Sequence, residues 1–217
     1  MNEKQTIEII TGTYGTGTEE QNEIVDAILG KQIANESFEI YFHWFNIMHE
    51  LGHGIMNFNS CRRPHPVDEE QLVNDFAVAY WLYYGETEKI IKLESILDYA
   101  MSNLTRPVDK SIDYLTYAIE NWGKEELFTF NNYGWFQFSC VLDSLSRNPI
   151  LESVLSKMGI NDVRKQEKKT LYYKIDTHMP EVVVENAVSI LREWGVFLPD
   201  VSVTFDKDPN RHMLREC

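Results

Sequence analysis

The sequence predicts a mainly α fold with at most a small β-sheet, and three observations carry that expectation. Amphipathic stretches of helical spacing fill most of the chain. Residues 36–58 are apolar around nearly the whole circumference of a helix, the mark of a buried one. Strand-type alternation is confined to two short runs, residues 5–10 and 199–205.

Taken in order, residues 5–10 (Gln-Thr-Ile-Glu-Ile-Ile) read as a short strand and residues 11–17 as a turn rich in glycine. No Lys follows those glycines in the GxxxxGK[ST] pattern, so a phosphate loop is not expected. Thr18 and Gln21 form a capping box that opens a helix to about Ile33. Ser37 is placed to cap the next helix, which runs to residue 58 and stops before Pro64 and Pro66. Asp68 with Gln71 reads as a second capping signature for a helix to Tyr84, closed by Gly85. Residues 86–104 and 109–122 are further amphipathic helices. Residues 126–139 are ambiguous between helix and strand, with Asn131-Asn132-Tyr133-Gly134 as a turn signal. Helices follow near 136–146 and 149–158, then a Lys-rich connector at 161–170. Pro180 suits the first turn of a helix to Trp194. The expected organisation is a helical core over residues 1–105. A mostly helical region, 106–217, packs on it, the alternative being one single domain.

Composition narrows the function classes. The chain has 217 residues, 43% hydrophobic and 25% charged, near globular averages. Its net charge of −14 disfavours nucleic acid and anionic membranes as partners. No run of 18 apolar residues predicts a transmembrane helix, and the first residues lack the layout of a signal peptide. Cys61, Cys140 and Cys217 are odd in number and not at metal-like spacing. Reduced thiols in a cytoplasm are therefore expected.

Chemistry concentrates at His49-Glu50-Leu51-Gly52-His53, an HExxH motif. Helix positions i and i+4 lie one turn apart on one face, so both imidazoles can reach one metal ion. Glu50 lies 100° further round, where it faces water at the metal and not the metal itself. Chance would place such a motif in a chain of this length on the order of 1% of the time. Burying two histidines and a glutamate in an apolar helix without a purpose would also be costly.

A catalytic zinc usually has three protein ligands and an open position. The HExxHxxGxxH extension is excluded by Met56 and Asn59. An acid from the following helix is the other solution, and Asp68, Glu69, Glu70 and Asp75 are near. Asp68 is better used as a cap, and Asp75 points away from Val73, Ala77 and Tyr80. Glu69 and Glu70 flank the buried face at its two margins, so helix geometry leaves both open. Asn74, one turn after Glu70, favours Glu70, because a residue at that spacing can orient a ligating histidine. His43 is expected in the core or at the surface, and His65, between two prolines, at the surface.

Phe45-Asn-Ile-Met-His-Glu-Leu-Gly-His53 followed by Glu70-Gln-Leu-Val-Asn-Asp-Phe-Ala77 resembles the short cytoplasmic gluzincins of the ImmA/IrrE type, with F-T-x-A-H-E-L-G-H and then E-x-x-A-N-x-F-A. The resemblance covers about residues 40–80. Asn46, Met48 and Val73 depart from the family's Thr, Ala and Ala. It implies zinc held by His49, His53 and Glu70, with Glu50 as general base. The function expected is hydrolysis of a peptide bond in a protein or peptide substrate, with Tyr133 and His178 as candidate donors to the oxyanion. Residues 6–10 could pair with substrate backbone. The alternative is a non-catalytic protein-binding or regulatory module that keeps a structural or vestigial zinc. A base at position 50 favours catalysis, and a closed fourth ligand such as His65 or His178 would favour the module.

Overall fold

A computed structural model describes residues 5–161, 163 and 179–206. Among these residues the fold is mainly helical with one two-stranded parallel sheet. The first strand, β1 (Thr6–Thr11), pairs with β2 (Asp200–Phe205), from Thr6 opposite Asp200 to Thr11 opposite Phe205. Both strands are where alternation puts them; their partnership joins opposite ends of the described chain.

The first helix, α1 (Glu19–Leu29), opens with the full Thr18–Gln21 capping box. It stops at Gly30, earlier than Ile33, because Gly30 adopts φ 82°. A short helix, α2 (Ala34–Phe38), follows, and Ser37 is buried inside it rather than capping anything. Residues Glu39–Phe45 continue as a π-helix that runs straight into α3 (Asn46–Asn59), the carrier of HExxH. A π turn is wider than an α turn and is frequent at functional sites.

The next helix, α4 (Pro66–Tyr84), is buried on nearly every side. Its N-cap is His65, whose ring accepts from the Val67 N–H, and Pro66 takes the first-turn position. Asp68 is therefore inside the helix and not its cap. Gly85 in the left-handed region ends it. Helices α5 (Thr87–Asn103) and α6 (Tyr114–Asn121) follow. Then α7 (Phe130–Arg147) runs unbroken through the Asn131–Gly134 turn signal. Thr129 caps α7, and Asn131 exchanges two side-chain hydrogen bonds with the Thr105 backbone. That asparagine is used in crossing to another segment, so its turn-forming capacity is not expressed. Helices α8 (Leu151–Lys157) and α9 (Pro180–Glu193) complete the set, and Pro180 sits in the first turn of α9 as expected.

One apolar core takes in Ile9 of β1, most of α3 and α4, and Leu191 and Leu198 near the last strand. It therefore draws on residues both before and after position 105. A second cluster packs Tyr117, Leu127, Trp135, Phe136 and Cys140 around Val67.

Two glycines of α3 set how closely its neighbours approach. A Cβ on Gly52 would stand 3.0 Å from the Val73 side chain of α4, and one on Gly54 would stand 2.8 Å from Ile7 of β1. Gly52 thus lets α4 come near enough to share a site with α3. Gly52→Val is expected to lower stability by about 1–3 kcal/mol through overpacking and to weaken metal binding by separating the helices. Urea unfolding and a zinc titration check both parts.

Candidate metal centre

His49 and His53 project from successive turns of α3, and Glu70 from the second turn of α4. The three bring one ligand atom each to within 4.8 Å of one another. His49 Nε2 lies 3.2 Å from His53 Nε2 and 3.2 Å from Glu70 Oε2, and His53 Nε2 lies 3.6 Å from Glu70 Oε1. Ligands about 2.0–2.1 Å from a tetrahedral zinc stand about 3.3–3.4 Å apart, so these spacings suit such an ion. His49 and Glu70 are each 2% exposed, while His53 is more open.

Hydrogen bonds fix which way each group faces. The Glu70 carboxylate accepts from Gln137 Nε2 at 2.7 Å, so the Gln137 carbonyl oxygen faces the other way. That oxygen accepts from Asn74 Nδ2 at 3.1 Å. Asn74 must then present Oδ1 to His49 Nδ1, 2.8 Å away. The Nδ1–H of His49 donates there, which leaves Nε2 with its lone pair toward Glu70. His49, Asn74, Gln137 and Glu70 thus form a closed ring of contacts. For His53 the partner is Glu69, whose carboxylate accepts from Nδ1 at 2.7 Å. Arg63 holds Glu69 in turn, its Nε donating at 2.7 Å to the second oxygen and Nη2 donating to the first.

Both imidazoles therefore turn acceptor nitrogens onto a buried carboxylate. Such a cluster of acceptors calls for a cation in its midst. The electrostatics agree. Burial pushes the Glu70 carboxyl up, but His49 and His53, when protonated, supply hydrogen bonds and charge that outweigh it and hold the group well below the usual carboxylate range. Burial pushes His53 down, yet the Glu70 hydrogen bond and the charges of Glu70 and Glu50 leave it raised on balance. The site favours positive charge, carried by a proton or by a metal ion.

Among the four acids weighed from sequence, Glu70 alone joins the two histidines. Glu69 is the outer partner of His53. Asp75 is buried against α7, accepting from Ser144 at 2.7 Å and from Arg147 at 2.8 Å. Asn74 bonds His49. His43 is a core histidine whose Nε2 meets the Gly12 carbonyl at 2.8 Å and so anchors the turn after β1. Tyr133 lies on α7, not in a turn; its hydroxyl accepts from Gln137 Nε2 at 2.9 Å, which places it beside the centre. His178 lies outside the described residues.

Gln137 and Arg63 carry no sequence signal of a place at the centre, and Asn46 is visible in sequence only as a departure from the family's Thr. Gln137 sits one turn after Tyr133, but nothing local marks it as a partner of a residue 67 positions away. Asn46 is one turn before Glu50 and donates to Glu50 Oε1 at 3.2 Å. Asn74→Ala would leave the His49 ring free to turn. It is expected to weaken zinc binding about 10- to 100-fold, measurable by competition with a chromophoric chelator.

Glu50 stands beside the cluster, and its side chain borders two cavities. A groove of about 420 Å³ runs between β1 and α3, lined by Thr6–Gly12, Glu50, His53 and Arg63. An apolar pocket lies on the other side, against His49 and Glu50. Comparison with protein-family models, with curated proteins and with solved structures finds no match.

Proposed function

We propose that the protein is a zinc-dependent peptidase in which Glu50 is the general base. The observation that carries this reading is the placement of Glu50. It adjoins a three-donor centre without belonging to it and opens onto clefts on both sides. A metal held by His49, His53 and Glu70 would act as a Lewis acid on a carbonyl and make water at its open position acidic near neutrality.

The chain's own residues supply the rest. Glu50, held by Asn46, takes a proton from the attacking water and delivers it to the leaving amine. Glu69 and Asn74 keep the two imidazoles in the ligating tautomer. Tyr133 is a candidate donor to the oxyanion. The edge of β1 away from β2 lines the groove beside Glu50, so an extended peptide can add to it as a strand. Among the described residues no further His, Cys, Asp or Glu joins the cluster, and His65 is occupied as a helix cap. A donor set of three among the described residues, which do not include His178, favours the hydrolytic reading over a closed structural site.

The sequence resemblance to the ImmA/IrrE gluzincins points the same way. A cytoplasmic setting belongs to the same proposal. Cys61 and Cys140 are free thiols, and among the described residues no helix is long and apolar enough to cross a membrane. The direct test is cleavage of a peptide library by zinc-loaded protein. Products that vanish with chelator and return with zinc support the proposal; no cleavage by fully loaded protein overturns it.

A further inference from the structure

The apolar pocket beside Glu50 is built by three separated elements. Val25, Ile28 and Leu29 come from α1, Phe42 from the π-helical segment, and Phe130 and Phe138 from α7. His49, Glu50 and Gln137 close its inner end. The cavity measures about 120 Å³. A dry cavity of about 150 Å³ in another protein accommodates benzene, so this one suits a phenyl or branched butyl group.

Its chemistry narrows the occupant further. Among the described residues Glu50 is the one carboxylate in its lining, and no Lys or Arg lines it. An acidic side chain would be buried against Glu50 with no counter-charge. A lysine would pair with Glu50 and take away the base. A large neutral side chain suffers neither penalty and is favoured by removal from water. The cavity adjoins the ligating His49 and the base together, so its occupant lies next to the reacting bond.

We propose that this pocket receives the side chain of a residue flanking the scissile bond, and that the preferred substrates carry Phe, Leu or Met there rather than Gly or Asp. The proposal rests on the hydrolytic reading and deepens it.

The test separates pocket from metal. Acetohydroxamate chelates zinc without reaching a side-chain pocket, and phenylacetohydroxamate adds a benzyl group. Calorimetry on the zinc-loaded full chain is expected to show the benzyl compound binding about 10- to 100-fold tighter. Val25→Trp, which fills the pocket from a half-buried helix position, should abolish that difference and leave acetohydroxamate binding unchanged. Ile28→Phe serves the same purpose should the first variant fail to fold. Equal affinity of the two compounds for the wild type would overturn the pocket and spare the metal centre. Failure of both to bind zinc-loaded protein would overturn the hydrolytic reading. Methyl NMR of the metal-free chain with toluene then tests the cavity alone. Shifts at Val25, Ile28 and Leu29 support it, and their absence refutes it.

Discussion

Replacing His49 with alanine is expected to abolish zinc binding, and His53→Ala is expected to do the same. Wild-type protein should hold one zinc per chain by elemental analysis after loading and desalting, and each variant close to none. The magnitude follows from the donor set. With three protein ligands, loss of one leaves an imidazole and a carboxylate, too few to hold the ion against dilution. The His49 variant has a second defect. Asn74 Oδ1 loses its donor at a buried position, a cost of about 1–3 kcal/mol even without metal, while Glu70 keeps its bond from Gln137. Zinc itself should stabilise the wild type. At free zinc a hundredfold above Kd the gain is about 2.7 kcal/mol, or roughly 5–10 °C in melting temperature for a chain of this size. Chelator should reverse that shift in the wild type and have no effect on either variant. Equal zinc content in all three proteins would overturn the metal centre.

Legibility from sequence follows the range of the interaction. HExxH is a property of one helix: i,i+4 spacing fixes its geometry wherever that helix lies, so His49, His53 and the offset of Glu50 could be read directly. Glu70 was half legible. Its place on a buried helix face was shared with Glu69, and the structure separates them by what each meets across the helix interface. Both are used, one against both Nε2 atoms and the other against the outer nitrogen of His53. Gln137 was hidden because its role depends on α7 packing against α4, and a lone glutamine amid aromatics carries no periodic signal. The π-helical widening at Glu39–Phe45 was hidden for another reason. Where almost every position is apolar, the pattern cannot report whether a turn holds 3.6 residues or more. The two strands showed their alternation, but parallel pairing between residues nearly two hundred positions apart is set by the helices between them.

Glu50→Gln is expected to keep zinc and lose hydrolysis. Glutamine matches glutamate in shape, and the three ligands and their outer partners Asn74, Gln137 and Glu69 are untouched. Asn46 can turn its amide to bond the new side chain, so the local structure should survive. What would disappear is the group proposed to accept the water's proton. General-base catalysis contributes typically about 10²- to 10⁴-fold, and activity on a cleaved peptide should fall by at least that order. Metal content and melting temperature of the loaded variant measure the site, and turnover measures the chemistry. Zinc retained with activity lost places Glu50 in the reaction. Zinc lost would make Glu50 a ligand and invert the geometry, since its carboxylate would then have to replace one of the three converging groups. Zinc and activity both retained would remove the base from position 50. The hydrolytic reading would then lose the one residue that distinguishes this centre from a site built only to hold an ion.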